Sequence, residues 1–315
     1  MMQMYAKHSL IAGLIVKFLA AFFMLLAINS KAGYVKELTA LPITLLVSLV
    51  CCILPWGMIT GIMCIVLLIH FMKISFIVAL VALIIMIVMI LINLIFAPGC
   101  QAVVFFVPMM FFLKLPFLLP LVLGLVAPVT VILPMLFGIL LYFLMDYVNS
   151  MAGFLADVTD TAGMSARFIQ LIDGLRTNRV FMILAVAFAV TVVIVYVIHR
   201  LSIDYAWLIA IAAGAVANLV LVLLGVASSS GNTADLTVVS VICSSIVSVL
   251  LAYVIQFMVF AVDYKQTEYA QCEDDEYYYY IKAVPKVRVA EKEYDKIDIL
   301  TGDESKQESG EQESE

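Results

Sequence analysis

Five polar side chains stand inside runs of residues apolar enough to lie in lipid: Lys17, Asn93, Lys114, Asn218 and Gln256. An ionisable group at mid-bilayer costs several kcal/mol, so each such residue either serves function or finds a structural remedy. Lys17 lies in the first run, where its four-carbon stem either reaches an interface or places a cation on a solute path. Lys114, between Leu113 and Leu115 with Pro116 beside it, is either an interfacial lysine at a helix break or part of the same path. The amides of Asn93, Asn218 and Gln256 either bond between helices or line a polar route. His70, His199 and Arg200 fall at run ends, as amphipathic anchors do. Asp146 and Asp263 close their runs and no Asp or Glu lies mid-run, so the carboxylate relay that proton coupling uses is missing.

No catalytic constellation accompanies these residues. The patterns H-E-x-x-H, G-x-S-x-G, G-x-x-x-x-G-K-[ST] and G-x-G-x-x-G are absent, so the reading is of a non-enzyme without a cofactor. Any nucleotide-driven function then needs a separate ATPase subunit. Cys51, Cys52, Cys64, Cys100, Cys243 and Cys272 form no C-x-x-C spacing and read as small apolar residues rather than metal ligands.

The elements that must hold these groups follow from composition. Hydrophobic residues make up 65% of the 315 and charged ones 13%, against about 45–50% and 25% in a soluble domain. That excludes a soluble or disordered chain. Residues 1–262 carry 10 Lys/Arg against 7 Asp/Glu, whereas 263–315 carry 7 against 16. The division predicts an all-α, polytopic integral membrane helical bundle over 1–262 and an acidic cytosolic tail over 263–315. The lipid bilayer is the first partner. Nucleic acid is excluded, since the one large polar segment is acidic.

Lipid offers no hydrogen-bond partners, so long apolar runs must be helices. The pattern predicts about 7–8 spans, the clear ones being 9–29, 74–97, 180–198, 205–227 and 236–262, the first retained rather than cleaved as a signal. Prolines interrupt 41–72 (Pro42, Pro55) and 101–145 (Pro108, Pro116, Pro120, Pro128, Pro134). Each region is either a kinked span or a re-entrant hairpin, with Pro42, Pro55, Pro120, Pro128 and Pro134 as hinges or breaks. Leu41-Pro42 with Ile53-Leu54-Pro55 parallels Leu119-Pro120 with Ile132-Leu133-Pro134. That is either a repeat of broken helices, the pointer to a transporter's binding region, or a coincidence of apolar segments. Over about 150–178, Phe168, Leu171 and Ile172 oppose Arg167, Gln170 and Asp173, the pattern of an amphipathic interfacial helix.

Counting 101–113 as a crossing sets Lys73, Lys114 and Arg200 on the side of Lys7, opposite Lys31, Lys36, Arg167, Arg176 and Arg179. That tally leaves orientation open; Lys265 and the cation-free loop 228–235 tip it to N-in and C-in. Ala206, Ala210 and Gly214 at four-residue intervals make a close-packing face, used either within the chain or in a homo-oligomer. In the tail, Tyr277, Tyr278, Tyr279 and Tyr280 open an extended segment, 277–289, that includes Val287 and Val289. With no visible strand partner of its own, it either adds to a sheet in a cytosolic protein or straps the membrane body. From about 300 the composition is that of a disordered chain.

The run Glu273 to Lys286, EDDEYYYYIKAVPK, and the proline-rich region Phe117 to Tyr147 resemble those of an uncharacterised family of multi-pass membrane proteins from Gram-positive anaerobes. Some of its members are labelled ABC-transporter-permease-like. The resemblance covers most of the chain and implies a cell inner (cytoplasmic) membrane location; it transfers no substrate and no site residue. The resulting expectation is a non-catalytic, membrane-embedded subunit of a transport or export assembly whose tail docks a cytosolic partner. The alternative is an oligomeric membrane scaffold without transport activity.

Overall fold

The computed structural model describes residues 9–150, 173–174, 178–201, 205–228, 238–259, 268–273 and 278–283. Tyr277, Val287, Val289, the segment beyond 300 and almost all of the interfacial helix expected over 150–178 lie outside them. The helices are α1 Ser9–Ala32, α2 Lys36–Thr39, α3 Leu41–Ile53, α4 Trp56–Ile74, α5 Phe76–Phe96, α6 Val103–Phe112 and α7 Leu118–Val126. A 3-10 turn, Val129–Val131, leads into α8 Ile132–Ser150, followed by α9 Arg179–His199, α10 Ala206–Ser228 and α11 Val238–Val259. Seven of these are long and apolar enough to cross a membrane, which makes the chain an all-α multi-pass membrane protein.

Pairs of contacts fix the directions of α3, α4 and α6–α10. Toward the Lys31 end of α1, Asn29 Nδ2 donates to Leu38 O (3.3 Å) and Thr44 Oγ1 (3.4 Å), and His70 Nε2 lies 3.1 Å from Asn29 Oδ1. Toward the Ser9 end, Lys17 Nζ donates to Leu54 O at 3.2 Å. Helices α3 and α4 therefore form a hairpin: both outer ends meet α1 at Asn29, and the break reaches Lys17, about 18 Å away at 1.5 Å per residue. Region 41–72 turns back rather than crossing once. Lys73, three residues beyond His70, belongs at the Lys31 end.

Helix α6 runs parallel to α8, since Gly138 abuts Val104 and Val107 while Phe111 stacks on Tyr142 with ring centroids 4.1 Å apart. Helix α7 runs parallel to α9, with Phe117 against Phe188 and Gly124 against Val195. Helix α10 is antiparallel to α9, with Gly225 on Ile183 and Gly214 on Val195. Helices α7 and α8 thus make a second descending and returning pair, broken at Ala127-Pro128. Both α6 and α8 end at the Lys31 end of the bundle, so Lys114 sits with Lys31 and not on the side opposite it, where the sequence tally has it. The 10 residues of α6 span about 15 Å, too short to carry Lys114 across a layer of about 30 Å.

Of the prolines expected to break helices, only Pro55 and Pro128 stand at breaks, in extended conformation ahead of α4 and the 3-10 turn. Pro42, Pro120 and Pro134 lie in the first turns of α3, α7 and α8. There an N–H has no intrahelical acceptor to lose, so proline starts these helices instead of breaking them. The second break falls six residues before Pro134, so aligning the two regions on their prolines does not align their breaks.

Inside the bundle, Met63, Phe71, Phe105, Met135 and Phe188 are fully buried, while Leu46, Leu49, Ile53, Phe76 and Ile95 face outward as lipid-exposed surface. Ala206, Ala210 and Gly214 are all buried, and a Cβ on Gly214 would meet Val195, Leu121 and Thr191 of the same chain. This face therefore packs α10 on α9 and α7, and is not available to a second copy.

Residues His8–Ala261 form one compact unit and the tail hairpin belongs to another. Strand β1, Glu268–Glu273, pairs antiparallel with β2, Tyr278–Ala283, setting Glu268 opposite Ala283 and Glu273 opposite Tyr278. This overturns the expectation that the tyrosine segment lacks a partner in its own chain. The partner escapes a sequence reading because EYAQCE contains no β-branched residue and carries an acid at each end.

Candidate functional site

At the Lys31 end, the closing turns of α1, α6 and α8, the segment Lys114–Phe117 ahead of α7 and the opening turns of α9 and α11 surround a cavity of about 530 Å³. That volume is in the range of small-molecule sites. Phe111, Phe117 and Phe143 supply apolar wall; Lys31, Lys114, Asp146 and Ser244 supply polar groups.

Lys31 and Asp146 form an ion pair, and Lys31 Nζ also lies 5.2 Å from the Tyr142 ring centroid. About a third of each side chain stays exposed, 32% and 39%, so the pair faces the cavity and contributes only about 0–1 kcal/mol to stability. Just beyond it, Tyr34 donates its hydroxyl to Asn149 Oδ1 at 2.9 Å, tying the turn after α1 to the end of α8. Asn178 caps α9: its Oδ1 accepts from the N–H groups of Val180 (3.0 Å) and Phe181 (3.3 Å). The positive end of the α9 dipole is thereby set in the cavity wall.

Lys114 is held by the way α6 ends. Its N–H donates to Phe111 O (3.1 Å) and the Leu115 N–H donates to Met110 O (2.9 Å), the paired bonds of a Schellman motif. That motif needs a left-handed residue, and Lys114 has φ 61° where glycine would sit without strain. A non-glycine residue there costs about 1–2 kcal/mol. Among the described residues the Lys114 ammonium has no ion pair. Among the described residues the cavity therefore carries two lysines against one aspartate, and Lys31 alone of the two is paired.

The other residues singled out in the sequence do not converge here. Lys17 serves the α3–α4 break. Met58 N–H bonds Pro55 O at 3.0 Å, which leaves Leu54 O without a helical donor, and Lys17 supplies one. Asn93 and Asn218 are each 2% exposed; among the described residues Asn93 Oδ1, both amide atoms of Asn218 and Gln256 Oε1 have no hydrogen-bond partner. None of these four residues lines the cavity. Among the described residues no cluster of His, Cys, Asp or Glu is suited to a metal ion.

Two groups of residues escape the sequence reading. Asn29, Thr44 and His70 join α1, α3 and α4, and the Val35 N–H donates to His70 Nδ1 at 3.2 Å. Nδ1 is thus an acceptor, so the proton sits on Nε2 and is donated to Asn29 Oδ1, fixing a neutral tautomer. His70 is wholly buried and is not an interface anchor. The second group is Ser240 and Ser244, whose four-residue spacing continues to Ser248 and is a legible signal of one polar face on α11. No family model, curated protein or solved structure matches this chain.

Proposed function

We propose that this protein is a non-catalytic, membrane-embedded subunit of a transport or export assembly, with the cavity as the vestibule for its solute. The observation that carries the reading is the concentration of charge in one cavity at one end of a bundle whose buried side chains are mostly apolar. Charge held against lipid is costly and marks solute paths. The flanking α3–α4 and α7–α8 pairs support it further, because discontinuous helices let a binding region change shape without unravelling whole spans. The scaffold alternative loses its main support, since the small-residue face is consumed within the chain.

The charge distribution also supports an orientation. Lys31, Lys36, Lys73, Lys114 and Arg179 belong to the cavity end, against Arg200 at the opposite end, among the described residues. The positive-inside rule then favours a cavity open to the cytoplasm and helix ends Ser9 and Val259 on the outer face of the cytoplasmic membrane, the reverse of N-in and C-in. A tail on that face does not dock a cytosolic protein. Labelling with a membrane-impermeant maleimide in intact cells tests this: a cysteine at Arg200 should react and one at Lys36 should not, and the opposite pattern restores N-in and C-in.

The assembly itself is tested by purifying the intact chain from its native membrane in mild detergent, then measuring the mass and identifying each chain. A soluble nucleotide-hydrolysing subunit whose turnover changes with Lys31→Met is the expected result. A homo-oligomer without any energy-supplying subunit overturns the reading.

A further inference from the structure

We infer that the cavity binds an amphipathic anion, a phosphate or carboxylate group carried on an apolar chain, with Lys114 as the contacting cation. The inference deepens the proposed function and rests on taking the cavity as its solute site. Charge comes first. Lys31 is balanced by Asp146 and by the face of Tyr142, whereas Lys114 has no ion pair among the described residues, so one positive charge faces the cavity uncompensated. Lys114 is exposed and lines the cavity beside Phe111 and Phe117, so its ammonium is free to meet the charged head of a ligand whose apolar part lies on that wall. The capped N-terminus of α9 adds partial positive charge in the same wall, which again favours an anion. A cationic ligand would find Asp146, the one carboxylate among the described lining residues, already engaged.

Shape and strain point the same way. A cavity of about 530 Å³ is far larger than a phosphate group needs, and Phe111, Phe117 and Phe143 offer apolar wall that an inorganic ion would leave uncovered. An apolar chain attached to the anion fills that space and gains from leaving water. Lys114 also occupies a left-handed position that glycine would take at no cost. A strained residue that presents a cation without an ion pair among the described residues is where a ligand contact is expected.

The test uses the full-length chain in nanodiscs of neutral phosphatidylcholine, with calorimetric titration of hexyl phosphate, inorganic phosphate and hexyltrimethylammonium. Hexyl phosphate should bind at least about tenfold more tightly than inorganic phosphate, and the cationic probe should not bind. Lys114→Gly keeps the left-handed turn and removes the cation, so it should weaken hexyl phosphate at least about tenfold with no loss of thermal stability, while Lys114→Arg stays close to the parent. Equal binding of anionic and cationic probes, or unchanged binding by a folded Lys114→Gly chain, overturns the inference. Inorganic phosphate binding as tightly as hexyl phosphate overturns the apolar half of it. Adding phosphatidic acid to the nanodisc separates the sources: competition assigns the ligand to the bilayer, and its absence assigns it to the aqueous phase. Tight hexyl phosphate binding by a chain that purifies without an energy-supplying subunit would remove the transport reading and leave the site standing.

Discussion

Gly138→Ala should destabilise the bundle, whereas the same change at Gly61 should not. A Cβ on Gly138 would lie 2.6 Å from Val104 O, 2.6 Å from Val107 Cγ2 and 2.8 Å from Val107 Cβ. Ordinary contacts of these kinds start near 3.3–3.5 Å, so α6 must retreat from α8 by about 0.7–1 Å. Val104 O is backbone and cannot rotate away, and Val107 is β-branched with little rotamer freedom. Overpacking of this kind costs about 1–3 kcal/mol. Alanine recovers roughly 1 kcal/mol of helix propensity, leaving a net loss of about 0–2 kcal/mol. At Gly61, inside α4, a Cβ meets nothing within 4 Å, so only the gain of up to about 1 kcal/mol applies. The two variants should therefore differ by about 1–3 kcal/mol, the overpacking cost alone, since the propensity gain is common to both. Thermal unfolding of each variant in detergent, followed by size-exclusion of the survivors, measures that difference. Gly138→Ala as stable as Gly61→Ala would refute the close approach of α6 and α8 and with it the geometry of two cavity walls.

Lys17→Met keeps the side chain's length and removes the donor to Leu54 O; it should cost about 1–2 kcal/mol and raise amide exchange around 51–54, with Lys17→Arg restoring most of the loss. Full stability of Lys17→Met would instead assign Lys17 to the solute path. His70→Leu strands the Val35 N–H and Asn29 Oδ1 together, for about 2–4 kcal/mol. Combining it with Asn29→Leu should cost less than the sum of the two single changes, and strict additivity would mean the network is not shared. Asp146→Asn should change thermal stability by no more than about 1 kcal/mol, because the pair is partly exposed. It should also tighten hexyl phosphate binding several-fold by releasing Lys31, and weaker binding would contradict the sign of the cavity's charge.

The long spans are legible in the sequence because a run of about twenty apolar residues has one solution in lipid. The short helices are not. Leu41–Ile53, Val103–Phe112 and Leu118–Val126 each fall below the length at which composition alone separates a crossing from a return. The direction of the first depends on Lys17 meeting Leu54 and Asn29 meeting His70, residues 37 and 41 positions apart, and that of the other two on Phe111 meeting Tyr142 and Phe117 meeting Phe188. The prolines mislead for a definite reason: at the start of a helix proline costs nothing, so Pro42, Pro120 and Pro134 look like breaks in sequence and act as first-turn residues. The cavity is invisible for the same reason as the hairpins, since Lys31 and Asp146 come together across 115 positions.

What separates a functional lysine from a structural one here is whether the backbone has already claimed its charge. Lys17 from within α1 and Lys114 at the end of α6 each meet a helix break, and a break leaves backbone groups without partners. At Leu54-Pro55 the orphan is a carbonyl oxygen, and Lys17 answers it with its ammonium group. At the end of α6 the orphans are the carbonyls of Met110 and Phe111, and the backbone N–H groups of Leu115 and Lys114 answer them without help from any side chain. Lys114 therefore keeps its cation uncommitted even though its backbone carries the strain of the turn. The repair of the first break uses up a charge and the repair of the second leaves one over. It is the second lysine, facing a cavity with one carboxylate already paired, that has chemistry left to do.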